Sequence, residues 1–93
     1  MLFFIHCVDK PNRQQLRQDN RALHLEFLKA NAERLVIAGP TLTEDGQGMT
    51  GSVFIAEFPD RAAAEALFST DPYAKAGLFE SVVIRPYRKV LPS

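Results

Sequence analysis

The sequence has little of what several protein classes depend on. It contains one cysteine, Cys7, among 93 residues. No internal disulfide can form, and a reducing, cytosolic setting is expected. Neither charge dominates, because Lys+Arg and Asp+Glu number 11 each. A nucleic-acid partner would select for a basic excess or stripe, so none is expected. No apolar run is long enough to cross a membrane. The opening Met1-Leu2-Phe3-Phe4-Ile5 lacks the basic start and small-residue cleavage site of a signal peptide. Internal repeats, low-complexity tracts, a phosphate-binding loop and a dinucleotide fingerprint are all missing. His6, His24, Cys7 and Asp71 do not share a metal-ligand spacing, so neither metal nor cofactor is expected.

What remains is an ordinary globular composition, 46% apolar and 24% charged. That length suits one domain, residues 1–93, with a single small core. Leu2 to Val8 reads as a strand apolar on both faces. Leu2, Phe4, His6 and Val8 share one face; Phe3, Ile5 and Cys7 share the other. A buried free thiol is the simplest role for Cys7, since nothing beside it in sequence would lower its pKa. Residues 13–32 read as one helix. Leu23, Phe27 and Ala30 cluster on one side of it, with Glu26, Lys29 and Glu33 opposite. His24 falls inside the apolar arc, about 60° from Phe27 on the helical wheel, so it faces the sheet. Asn20 and Asn31 lie on the same stripe.

Residues 34–42 read as a second strand, placed at an edge by Pro40, which cannot donate a ladder hydrogen bond. A polar loop from Thr43 leads to a third strand, Thr50 to Phe58, where Ser52 is the polar member of an otherwise apolar face. Asp60 caps a helix over residues 61–68. The segment Asp71-Pro72-Tyr73-Ala74-Lys75-Ala76-Gly77 is a short turn fixed at both ends. Asp71 stands at the N-cap, Pro72 at the first helical position and Gly77 at the stop. Asp71 is therefore either a cap alone or a carboxylate aimed at a histidine elsewhere. The last strand runs from Phe79 to Leu91, and Pro86 marks it as a second edge.

The order β-α-β-β-α-β predicts an α+β, ferredoxin-like fold with a four-stranded antiparallel sheet. Right-handed crossovers put both helices on one face. The other face still carries Phe, Ile and Val, so a homodimer through that face is expected.

On these residues the chain resembles the YCII-related family of dimeric α/β-barrel proteins. The resemblance rests on His24-Leu25, Ala38-Gly39-Pro40, Thr50-Gly51-Ser52 with Ile55-Ala56-Glu57-Phe58, Asp71-Pro72-Tyr73 with Ala76-Gly77, and the closing Arg85-Pro86-Tyr87-Arg88-Lys89-Val90. It implies a ferredoxin-like dimer with a His–Asp pair taken as an active site, here His24 and Asp71. It also implies few assigned activities, among them a dehydrochlorinase of chlorinated aromatic diols. The pairing has a chemical logic. A carboxylate accepting from one imidazole nitrogen leaves the other free as a base.

The expected function is general acid/base catalysis, by elimination or isomerisation, on a small molecule of aromatic or lactone-like type. Ser52 and Tyr73 would bond the substrate, and Gly39 and Pro40 would complete its lining. The alternative is a non-catalytic binding or accessory module, which needs the same lining. RNA recognition shares the βαββαβ order but fits poorly. Ser52 stands where an RNA-binding strand needs an aromatic side chain.

Overall fold

The computed structural model describes residues 1–92. Its elements are β1 (Leu2–Asp9), α1 (Gln14–Asp19), α2 (Arg21–Ala30), β2 (Leu35–Leu42), β3 (Met49–Glu57), α3 (Arg61–Phe68), α4 (Pro72–Lys75) and β4 (Phe79–Tyr87). The four strands form one antiparallel sheet in the order β2-β3-β1-β4. This is the ferredoxin-like α+β arrangement that the element order predicts. Pro40 and Pro86 both lie on edge strands, where a missing N–H leaves no ladder bond unmade.

Period-two alternation divides the sheet into two surfaces. Phe3, Ile5 and Cys7 of β1 and Phe54 and Ala56 of β3 face the helices and are buried. Phe68 of α3 closes over them, its ring centroid 4.8 Å from that of Phe54. Phe27 of α2 and Phe58 meet the same ring edge-on. Gly51 allows β1 and β3 to approach closely, since a β-carbon there would overlap the Cys7 carbonyl oxygen. On the opposite surface Phe4, His6 and Val8 are only half-buried, and Ile37 and Val83 are 52% and 38% exposed. Among the described residues no helix is long and apolar enough to cross a membrane.

The first helix differs from the sequence expectation. The single helix over residues 13–32 is two helices with a break at Asn20, whose backbone leaves the helical range at φ −107° and ψ 3°. The Asn20 side-chain amide donates to the Leu16 carbonyl at 3.0 Å. Asn31 repeats the contact to Phe27 at 2.8 Å and ends α2. Short polar side chains that bond the backbone compete with helix continuation. The last strand is also shorter than expected and stops at Tyr87, before the Arg88–Leu91 tail.

Candidate active site

Asp71 performs two roles that a sequence reading sets against each other. Its Oδ1 accepts the Tyr73 backbone N–H at 2.9 Å, which caps α4 behind Pro72. The same oxygen lies 2.9 Å from Nδ1 of His24 on α2. Both side chains are buried, His24 to 6% exposure and Asp71 to 1%. An ionised carboxylate can only accept, so the contact matches a ring that carries hydrogen on Nδ1. Asp71 Oδ2 is buried without a hydrogen-bond partner. An orphaned buried acceptor costs about 1–3 kcal/mol. A serine cap would satisfy the same backbone N–H without that cost. Capping therefore does not account for an aspartate at this position.

Tyr73 connects the pair to a second cluster. Its ring stacks on His24 with centroids 4.0 Å apart and planes 18° apart. The Arg17 guanidinium of α1 lies 4.5 Å from the centre of the same ring. Arg17 donates from Nε to Asp9 Oδ2 at 2.7 Å, and from one terminal nitrogen to Asp9 Oδ1 at 2.9 Å and Ser52 Oγ at 3.1 Å. Burial works against the Arg17 charge, but the Asp9 hydrogen bonds and charge outweigh it and raise the group further. Burial also raises the Tyr73 phenol, against the opposing pull of Arg17 and Arg21. The phenol keeps its proton at neutral pH and remains a donor.

The other expected site residues are dispersed. Ser52 is buried, with Arg17 already donating to its hydroxyl oxygen. Pro40 pairs with Ser52 in register, on the exposed edge. Gly39 pairs with Val53, so strand alternation puts it on the open surface, away from His24. It does not join the His24 side of the sheet. His6 likewise faces the open surface and is separated from His24 by the sheet.

Asp9 and Arg17 do not emerge from the sequence reading. One signal was available: Arg17 stands seven residues before His24, which returns it to the same stripe after two helical turns. Two cavities flank the cluster. One, of about 360 Å³, has Asp71, Cys7, Phe68, Phe79 and Ile84 in its wall, beside α3 and β4. The other, of about 160 Å³, lies between α1, the start of α2 and the β2–β3 turn, with Arg17 and Arg21 in its wall.

Cys7 is 2% exposed, and burial, with the Asp71 and Asp9 charges, pushes its thiol from an ordinary 9.0 up to about 12. The folded chain thus holds a proton that the unfolded chain has released above pH 9. Folding takes up that proton, and the thiol's contribution to stability falls as pH rises from 9 toward 12. The denaturation midpoint of the native chain is therefore expected to fall more steeply above pH 9 than that of Cys7→Ala. Parallel pH profiles in urea titrations would contradict this.

With this geometry described, known proteins supply a comparison. Residues 1–88 match the YCII-related domain. Protein YciI of Escherichia coli O6:H1 is 38% identical, over 97% of this chain and 99% of its own length. An uncharacterized protein of Haemophilus influenzae is also 38% identical, with the same coverage. Among solved structures, the 5-chloro-2-hydroxyhydroquinone dehydrochlorinase TftG of Burkholderia phenoliruptrix, in complex with 2,5-dihydroxybenzoquinone, superposes with a TM-score of 0.88. It is 35% identical and covers 95% of this chain and 94% of its own. The cofactor-independent oxygenase SnoaB of Streptomyces nogalater shares the fold alone, at a TM-score of 0.62 and 14% identity, with 99% of this chain and 97% of its own covered. The domain match, with 38% of positions shared with the YciI protein, establishes that the chain belongs to the YCII-related family.

Proposed function

We propose that this protein is a small general acid/base enzyme in which His24 takes and returns a proton and Asp71 positions it. The observation that carries the reading is the 2.9 Å contact between two buried side chains, His24 Nδ1 and Asp71 Oδ1. Donation from Nδ1–H fixes the ring and its tautomer, which leaves Nε2 as the base. The carboxylate then offsets the positive charge that develops on the ring. After proton removal the substrate's electron pair has two outlets. It expels a leaving group, which is elimination, or it is protonated at another atom by the same imidazolium, which is isomerisation. Neither route needs electrons from outside. In this reading the Tyr73 hydroxyl, which stays protonated, donates to a substrate oxygen. TftG, at 35% identity, is named for a dehydrochlorination and was seen with a single-ring hydroxyquinone, which supports a substrate of that size and type. The lone, buried Cys7 fits a reducing cytoplasmic location.

A second reading, binding without chemistry, draws on one observation. Asp71, and not His24, is in the wall of the larger cavity. Turnover of 5-chloro-2-hydroxyhydroquinone and related hydroxyquinols separates the two. His24→Ala is expected to lower kcat by about 10²–10⁴, the usual worth of a positioned acid/base. Asp71→Ser retains a cap residue but withdraws the carboxylate, and is expected to lower kcat with little change in KM. Full activity in His24→Ala would remove His24 from the chemistry, and stoichiometric recovery of an unaltered ligand with the purified protein, without turnover, would favour the binding module.

We further propose that the working unit is a homodimer joined through the open sheet surface. Ile37 and Val83 are exposed there beside half-buried Phe4, Val53 and Ile55. Covering one such side chain fully contributes about 1.5–3 kcal/mol. Sedimentation is expected to show a dimer at low micromolar concentration. Ile37→Glu with Val83→Glu is expected to give a folded monomer. A wild-type monomer at that concentration would refute the interface.

A further inference from the structure

The cavity between α1, the start of α2 and the β2–β3 turn has a lopsided chemistry. Arg17 and Arg21 contribute cations to its wall, Gln14, Gln18 and Gln47 contribute amides, and no carboxylate lines it. Asp9 balances Arg17 from outside this wall. Arg21 makes no ion pair among the described residues. Arg17 is 4% exposed and held by Asp9 and Ser52, so its orientation is fixed before any ligand arrives. Those bonds use Nε and one terminal nitrogen. The other terminal nitrogen faces neither Asp9 nor Ser52, and the guanidinium also acts as a hydrogen-bond donor toward Tyr73. The larger cavity has the opposite character: Asp71 lies in its wall with an unpaired Oδ2, and Arg61 is matched by Glu65.

Resting on the acid/base reading of His24, we propose that the Arg17–Arg21 cavity binds the anionic oxygen, carboxylate or phenolate, of a single-ring substrate. Its volume of about 160 Å³ sets the size. A cavity of about 150 Å³ holds one benzene ring and little more. Guanidinium groups match such oxygens because they present paired N–H donors in a plane. The site also lies next to the proposed base. The Arg17 guanidinium is over the ring of Tyr73, and His24 stacks on that ring. Arg21 precedes His24 by three residues on α2, almost one turn. Tyr73 thus links the Arg17 guanidinium to the imidazole through its ring.

Benzoate is the probe, titrated into isotope-labelled protein and followed by NMR. Saturable shifts are expected at the guanidinium signals of Arg17 and Arg21 and at the Gly48 and Met49 amides. Arg21→Gln is expected to weaken binding about tenfold, the scale of one charge-assisted hydrogen bond. Gln47→Glu, which adds a carboxylate to the wall on an exposed turn, is expected to weaken it as well. Benzyl alcohol, with the ring but no charge, is expected to bind at least about tenfold more weakly. The proposal is overturned if no saturable shift appears, or if the shifts fall on Phe79, Val82 and Ile84 of the larger cavity. It is also overturned if Arg21→Gln binds benzoate like the native chain. The readout is binding and needs no turnover, so benzoate that binds without hydroxyquinol turnover, or turnover without benzoate binding, separates the two. The two proposals therefore fail separately.

Discussion

The site depends on one oxygen atom. Asp71 Oδ1 accepts the Tyr73 N–H that starts α4 and also meets His24 Nδ1 of α2. A helix cap is a local feature, fixed by Asp-Pro at the start of a four-residue helix and by Gly77 beyond its end. Here the cap sets the position of a side chain 47 residues away in sequence. Tyr73 gains its place from the same turn, and its ring stacks on the imidazole that its own N–H helps to orient. Loss of the Asp71 carboxylate would loosen the helix start, the imidazole and the stack together. Effects at these three positions are therefore expected to be non-additive.

A second layer holds the first in place. Arg17 bridges β1 through Asp9 and β3 through Ser52, and covers Tyr73 from α1. Removing one partner of a buried ion pair strands the other, which commonly costs about 3–5 kcal/mol. Such a pair is poorly justified by stability alone, because apolar packing would do as well. Its worth lies in a fixed guanidinium beside a stacked tyrosine and histidine. The break at Asn20 belongs to the same arrangement: it divides α1, which carries Arg17, from α2, which carries His24.

Much of this was legible in the sequence, for identifiable reasons. The short apolar run Leu2–Val8, ended by Asp9, Lys10 and Pro11, marked β1, and the prolines at 40 and 86 located the sheet edges. The helical wheel turned His24 inward, and Asp-Pro marked the cap, so both halves of the pair were visible. Their contact came only from the family resemblance, because it joins elements that only the tertiary fold brings together. The Asn20 break was hidden because asparagine is compatible with a helix until its side chain finds a carbonyl. The Arg17–Asp9 pair was not legible, since no local pattern shows that these two charges are buried against each other. The face of Gly39 was not legible, because it depends on sheet register, and β2 shifts register between Leu35 and Ile37.

The most direct test of the central claim is the tautomer of His24. Long-range proton–nitrogen NMR correlations distinguish a ring protonated at Nδ1 from one protonated at Nε2. The spectrum is recorded at about pH 8.5, above the ordinary imidazole range. The chain has only two histidines, so His6→Gln assigns the signals. Donation to Asp71 predicts hydrogen on Nδ1 and a bare Nε2. A ring protonated chiefly at Nε2 would leave no base where the account requires one, and would contradict it.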